Sequence, residues 1–297
     1  MTSATLRQLL LLSALWGGSF IFIRVTVPLL GPIVTAEARV LIAGLALLLY
    51  AIIIGARLEL QSRWPQYLLI GTLNSAVPFA LISAAEIHLS ASMAAILNAT
   101  SPLFGAVISA VWLKELLTGR KIVGTTIAVV GVVVLVGWSP LPLNSVTLIS
   151  IGASLLASAL YGLAGTYTRA KVTAAPPLGM AVGSQLGASL MLTPLLPFMP
   201  PTAAPSLVVI LCVLTLALFS TALAYVLYFR LIVDIGATRA LTVTFLAPIF
   251  GVIWGALFLG EGITVSKVVG CGIILLGTAF VTGTNPRSLG FRTSIHL

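Results

Sequence analysis

The side chains able to do chemistry in this chain of 297 residues are few, and they interrupt long apolar runs. Asn74 and Ser75, followed by Pro78 and Phe79, form one such group; Asn98, Ser101 and Pro102 form a second; Ser184 and Gln185 form a third. Polar groups inside apolar runs are costly unless they face protein or water, so these positions point to a cavity or to bonds between helices. For Gln185 a substrate hydrogen bond and a helix-to-helix bond both stay open. Pro78, Pro102 and Pro248 each remove a backbone donor and free a carbonyl, which makes a packing kink, a ligand contact, or both. Trp16, Phe79, Tyr161, Tyr225 and Tyr228 are spread over several runs and could wall a site for an apolar or amphipathic molecule. Tyr228 also suits an interfacial aromatic belt. Ser19 and Thr244 complete the candidate substrate-binding set.

Among ionisable residues, Arg24, Glu37 and Arg39 fall toward the outer ends of the first two apolar runs. Glu37 and Arg39, two apart, point to different faces of a helix, so a Glu37–Arg24 pair is geometrically easier than a Glu37–Arg39 pair. The three could form an outer gate, bind a substrate carboxylate, or anchor helix ends at headgroups. Glu115 and Glu261 read as turn and helix-terminus residues, not proton carriers. No mid-span cation is expected, which disfavours phosphorylated cargo. Neither a catalytic residue, a metal nor a cofactor is expected: there is no HExxH, no Cys/His ligand spacing and no phosphate-binding loop, and His88 and His296 fall in a loop and the C-terminal tail. Cys212 and Cys271 lie within apolar runs and read as packing residues.

The elements that must hold these groups follow from composition. Hydrophobic residues make up 59% of the chain and charged residues 7%, against roughly 45–50% and about 25% in soluble domains. Runs of about 20 apolar residues match a hydrocarbon core roughly 30 Å thick. They are continuous instead of alternating, so helices, not barrel strands, are expected. Ten spans can be drawn: Leu6–Val27, Ile33–Ile54, Pro65–Ala85, Ala91–Leu113, Lys121–Trp138, Thr147–Thr168, Pro177–Pro197, Ser206–Phe229, Thr238–Leu259 and Ser266–Gly283. The first reads as a span and not a cleaved signal, since it ends in Phe22-Ile-Arg with no small-residue cleavage site. The net charge of +9 is scattered through short loops, which excludes a nucleic-acid face. Under the positive-inside rule, twelve cations fall on one side, with Arg24, Arg39 and Lys267 on the other. Both termini are therefore expected in the cytoplasm.

The chain also repeats itself. Ser101–Gly137 and Ala247–Gly283 share 13 of 37 positions at an offset of 146, including Pro102/Pro248, Glu115/Glu261, Lys121/Lys267 and four glycine pairs. Ala14–Arg24 aligns with Ala159–Arg169 at an offset of 145, which makes Trp16 and Tyr161 equivalent and predicts that they face each other. Five spans thus repeat as five. Because five is odd, the second copy enters the membrane from the opposite side, an inverted pair typical of secondary transporters with a mid-membrane site between the halves. The expected fold is all-α: ten transmembrane helices in two inverted repeats, residues 1–140 and 141–285, with a cytoplasmic tail at 286–297. Gly124/Gly131 and Gly270/Gly277 predict close packing of the fifth and tenth spans, as scaffold or as a homodimer contact.

The sequence resembles the drug/metabolite transporter superfamily, in its ten-helix EamA-type branch. The likeness rests on Ala14-Leu-Trp-Gly-Gly-Ser-Phe, Arg39, Ala91–Pro102 with Leu113-Lys-Glu-Leu, and the echo Ala237-Thr-Arg-Ala, Ala247-Pro248 and Leu259-Gly-Glu-Gly. It implies export of small neutral or zwitterionic metabolites, amino acids first, across a bacterial inner membrane by alternating access. A carrier of nucleotide sugars or lipid-linked precursors on the same fold is the alternative, and a membrane-embedded lipid enzyme a remote one. The intramembrane Glu in the first helix of the family's small cation-drug antiporters is missing. The expected partners are a small-molecule substrate and the lipid bilayer.

Overall fold

The computed structural model describes residues 3–282, apart from 117, 140, 141, 143, 173, 236–239, 241 and 242. The tail expected at 286–297 and the start of the ninth span therefore lie outside the described residues. All regular elements that are described are helical. Helix α1 (Ser3–Ile53) holds the first two expected spans as two arms of one element, broken at Gly31 with φ 74° and ψ 167°. Only glycine takes that conformation without strain. Pro28 and Pro32 on either side withhold the N–H groups that would continue a regular helix.

Helix α2 (Leu60–Gly71) passes through a wide π turn, Thr72–Ala76, into α3 (Val77–Ala85). The next crossing is divided into α4 (Ala91–Asn98) and α5 (Ser101–Trp112), with Pro102 in the first turn of α5. Helices α6 (Gly119–Gly137), α7 (Ser145–Lys171) and α8 (Pro177–Leu192) come next. Then α9 (Leu207–Ala217) runs through a second π turn, Leu218–Leu223, into α10 (Ala224–Ile235). Helices α11 (Val243–Leu259) and α12 (Val265–Thr282) close the described chain. Several starts are capped by the residue type expected at a helix entrance: Ser90 Oγ accepts from Met93 N at 3.2 Å, and Asn144 Oδ1 from Thr147 N at 2.9 Å.

Eight of the described helical stretches are long and apolar enough to cross a membrane, and α11 is shorter at 17 residues. That is fewer than the ten separate helices expected, because Gly31 bends the chain without interrupting α1. Dividing α1 there and counting α11 brings the apolar segments among the described residues to ten. The protein is thus an all-helical membrane protein of several spans. Large apolar side chains such as Val111, Ile149 and Leu207 point outward, as a hydrocarbon solvent allows.

The packing carries the duplication. A methyl group on Gly17 would lie 2.7 Å from Phe250 Cβ and 2.8 Å from Gly251 N; one on Gly162 would lie 2.5 Å from Gly105 N and 2.9 Å from Phe104 C. At the repeat offsets, Gly17 corresponds to Gly162 and Gly251 to Gly105. The two contacts are one contact seen twice: the first span of each half lies in backbone contact with the fourth span of the other. Helices α6 and α12, also equivalent, pack face to face, Gly124 against Gly277, Gly131 against Ile274 and Leu135 against Gly270. Residue numbers rise along one as they fall along the other, so the equivalent helices are antiparallel and the halves inverted. This seam covers the four glycines within one chain, which removes the expectation that they form a homodimer contact.

Two substitutions separate close approach from mere glycine content. Gly17→Ala should destabilise the protein by about 1–3 kcal/mol through overpacking against backbone that cannot yield. Gly152→Ala, with nothing within 4 Å of its added methyl, should be neutral or stabilising by up to about 1 kcal/mol. Thermal unfolding of both variants in detergent measures the difference.

Candidate functional site: a central cavity shared by the two halves

Between the halves lies a cavity of about 660 Å³, within the range of small-molecule sites. Its lining takes in Trp16 and Ser19 from α1, Asn74 and Phe79 around the first π turn, and Asn98 and Ser101 at the α4–α5 break. Tyr161 on α7, Tyr225 and Tyr228 on α10, and Thr244 on α11 complete the aromatic and hydroxyl walls, with Pro102 and Pro248 beside them. Trp16 and Tyr161 both face this space. The ring against Trp16 is Tyr228, with centroids 5.3 Å apart, so Tyr228 belongs to the cavity and not to an interfacial belt.

The polar layer of this cavity is organised by the π turns. A π turn inserts one residue into a helix, rotating the segment after it and aiming new side chains at a neighbour. Thr72–Ala76 and Leu218–Leu223 stand at the repeat offset of 146, so Asn74 and Ser75 correspond to Ser220 and Thr221, and Phe79 to Tyr225. At the same offset Arg39 corresponds to Gln185. Their contacts correspond too: Arg39 Nε donates to Thr221 Oγ1 at 2.9 Å, and Gln185 Nε2 donates to Ser75 Oγ at 3.0 Å. Asn74 Nδ2 donates to the Tyr225 hydroxyl at 2.9 Å.

Several expectations change here. Arg39 is not near the outer end of a helix. It lies at the depth of Thr221, near the middle of the crossing formed by α9 and α10, and is the mid-span cation that span counting excluded. Its guanidinium stacks over Phe79, 3.7 Å from the ring centroid. No Glu37–Arg24 or Glu37–Arg39 pair forms. Glu37 instead accepts from Ser189 Oγ at 2.6 Å and Thr193 Oγ1 at 3.1 Å, and Arg24 donates to the carbonyls of Glu86 and Ile87. Gln185 is fully buried, bonds helix to helix and lies outside the lining, as do Arg24, Glu37 and Pro78. Pro78 opens α3 directly after the π turn.

The cavity has a mouth and a closed end. Ser109, Lys121, Thr166, Arg169 and Thr282 line the mouth. Ser109 and Thr166 share a hydrogen bond of 3.0 Å, and Arg169 pairs with Glu115 at 3.2 Å. At the other end, Phe20, Ile23, Ile82 and Ala95 of the lining pack with Ala91 and Ala94 into one cluster. A clasp lies over it: Glu261 accepts from Ala91 N at 2.7 Å, from Ser92 N at 3.1 Å and from the Ser92 hydroxyl, and pairs with Lys267 at 3.2 Å. A carboxylate from one half thus holds the N-terminus of α4 in the other, where the helix dipole favours negative charge. Burial works to raise the Glu261 carboxyl, but the Ser92 hydroxyl, Lys267 and the Ser92 N–H outweigh it and hold its pKa below the usual 4.5. Among the described residues its equivalent, Glu115, pairs with Lys121, at 3.6 Å, and Arg169, both at the mouth. Reading Glu261 as a turn residue missed this contact across the halves. Ser220, Thr221, Lys121 and Arg169 were also missed, although adding the offset to Asn74 and Ser75 points to the first two.

Comparison with known proteins places these features. The EamA-like transporter family matches residues 7–137 and 148–283. An uncharacterized transporter of Archaeoglobus fulgidus is 28% identical over 90% of this chain and 94% of its own length. The uncharacterized inner membrane transporter YedA of Escherichia coli K12 is 29% identical over 90% and 87%. A probable terminal-alkyne amino-acid exporter of Streptantibioticus cattleyicolor is 26% identical over 93% and 92%. A crystal structure at 16% identity superposes with a TM-score of 0.69 over 98% of this chain and 100% of the other, a likeness of fold.

Removing the clasp should cost more than removing its equivalent. Glu261→Ala should lower stability by about 2–3 kcal/mol, since it strips charge-assisted bonds from partly buried donors. Glu115→Ala, which breaks only exposed ion pairs, should cost less than about 1 kcal/mol. Because the Glu261 pKa is depressed, the clasp's contribution is complete above 4.5 and lost as the pH falls through the lower folded-state value. The stability gap between wild type and Glu261→Ala, measured by thermal unfolding in detergent from pH 7 down to pH 3, should therefore close only on the acid side.

Proposed function

The chain belongs to the EamA-like transporter family, a family of secondary transporters and not of enzymes, and from that premise we propose that it exports small neutral or zwitterionic metabolites, amino acids foremost. The observation that carries the reading is the cavity itself, about 660 Å³, with polar side chains and aromatic rings supplied in matched positions by both halves. Amino acids with aromatic or apolar side chains suit such walls, because the rings accept the side chain while the polar layer takes the ionic head. The similar protein named a probable terminal-alkyne amino-acid exporter supports the same class of cargo.

In this reading Trp16, Phe79, Tyr161 and Tyr225 hold the side chain, and Ser19, Asn74, Asn98, Ser101 and Thr244 offer hydrogen bonds. Gln185 fixes Ser75 instead of touching cargo. The first half, residues 1–140, and the second, 141–285, move against each other about the glycine crossings. The positive-inside rule puts the Lys121–Arg169 mouth and both termini in the cytoplasm, and the similarity to an inner membrane transporter supports a bacterial inner membrane. Cargo enters from the cytoplasm, and release on the other side requires the Glu261 clasp to open. A nucleotide sugar or other phosphorylated cargo fits less well. Arg39 is the cation beside the polar layer, and the charges of Lys121 and Arg169 at the mouth are offset by Glu115.

Proteoliposomes of the full chain, loaded with a panel of labelled amino acids, test the proposal. Wild type should move at least one of them. Trp16→Ala and Asn98→Ala should each reduce that flux about tenfold, as expected for losing a ring contact or a hydrogen bond worth about 1–1.5 kcal/mol, with melting temperatures close to wild type. Absence of flux for every amino acid in an otherwise folded preparation overturns the reading.

A further inference from the structure

Arg39 is 7% exposed, lines the cavity, and has no carboxylate within ion-pairing distance among the described residues. A guanidinium carries five N–H donors. The described contacts use Nε, to Thr221, and cover one face with the Phe79 ring, so Nη1 and Nη2 have no protein acceptor assigned among the described residues. A buried charge left in that state is costly unless something pairs with it. Glu86 forms no ion pair with Arg39 and stands outside the cavity lining.

The duplication supplies an internal comparison. The equivalent position in the second half is Gln185, and its amide satisfies the same contact, a hydroxyl on the facing π turn, without any charge. Packing at this position therefore does not require a cation. The charge at 39 is an addition on one side of a cavity that is otherwise neutral at this depth. In the same lining, Asn98 Oδ1 and Ser220 Oγ are buried with no hydrogen-bond partner among the described residues. One unmatched cation and two unmatched acceptors in the same chamber complement a carboxylate and an ammonium.

We propose that Arg39 is the seat of the substrate carboxylate, so that the carrier selects molecules with a free carboxylate group. The proposal rests on the reading of the central cavity as the transport site, and it narrows the cargo by chemical class. A carboxylate there would take parallel hydrogen bonds from the guanidinium, a geometry that a lysine ammonium cannot reproduce. Phe79 and Thr221 hold the guanidinium plane in place before cargo arrives.

The test uses purified full-length protein in nanodiscs and reads thermal stabilisation and binding. The probes are the amino acids, their C-terminal amides, and the matching acids that lack the amino group. Wild type should bind compounds with a free carboxylate and bind the amides about tenfold or more weakly, as expected for losing a charged hydrogen-bond partner. Arg39→Gln, which installs the side chain natural to the other half, should lose that preference, and Arg39→Lys should keep it at reduced affinity. Binding of the deaminated acids alone, with no amino acid bound, keeps the carboxylate seat and defeats the amino-acid reading. Equal binding of acids and amides by wild type, retention of the preference in a folded Arg39→Gln protein, or no binding of any carboxylate overturns the proposal. If Arg39→Gln does not fold, the comparison of acids with amides on wild type decides alone.

Discussion

Two pairs of helices cross at backbone contact, the first arm of α1 on α11 and α7 on α5, and most of the molecule is arranged by those crossings. Lipid tails are as apolar as leucine, so helices in a bilayer are not driven together by burial of hydrophobic surface; close packing and interhelical bonds must do it. Gly17 and Gly162 let the backbones approach Gly251 and Gly105 until a single methyl group on either would collide with the facing helix. Because each crossing joins one half to the other, the pair sets the pseudo-two-fold axis. A third contact between equivalents, the antiparallel seam of α6 and α12, secures the same relation at the edge of the bundle. The cavity is the space these contacts leave between them.

A chamber at mid-membrane needs polar groups there, and hydrocarbon tolerates no unsatisfied backbone. The two π turns meet both demands. Each widens a helix by one residue without ending it, and within the second, the Thr221 hydroxyl donates to the carbonyl of Leu216, five residues back, at 3.0 Å. Asn74 and Ser75, and Ser220 and Thr221, are thereby presented from facing helices. They are held by side chains from spans of the opposite half, Arg39 to Thr221 and Gln185 to Ser75. The polar layer thus doubles as the bonding layer between halves, which ties the shape of the chamber to the relative position of the two bundles.

Much of this was legible in residue patterns. Length and apolar content show a helical membrane protein, and the 13 shared positions with an odd number of spans show the inversion. Asn74, Asn98, Trp16 and Tyr161 stand out because an amide or a matched aromatic pair inside an apolar run has few other uses. Depth and partnership were harder. Arg39 read as an outer-end residue because span edges were placed by hydropathy, and pairing was sought between adjacent spans; its partner is Thr221, 182 residues away in the other half. Glu261 read as a turn residue for the same reason, since nothing local indicates that its acceptor atoms meet the N–H groups of Ala91 and Ser92. Hydropathy cannot show a π turn at all, as the inserted residue leaves composition unchanged. The repeat offset, applied to contacts as well as to residues, is the signal that connects Arg39 with Gln185 and Ser75 with Thr221.

The remaining asymmetry has a physical consequence. Glu115 and Glu261 are chemically equal members of the duplication, each with a lysine six residues on, yet Glu261 holds a helix of the opposite half while Glu115 stands at an open mouth with exposed ion pairs. The sequence matching Ala91-Ser92 in the second half is Ala237-Thr238, outside the described residues. A clasp made of two backbone N–H groups, a hydroxyl and a half-buried lysine is modest in strength, a few charge-assisted bonds each worth at most about 1.5–3 kcal/mol net of their exchange with water. Bonds of that size at a membrane surface can be exchanged for water and remade elsewhere, whereas the glycine crossings, which rest on steric fit, cannot be exchanged for anything in lipid. The molecule therefore divides its contacts by chemistry: van der Waals crossings that define an axis, and a solvent-exchangeable clasp at one end of the chamber.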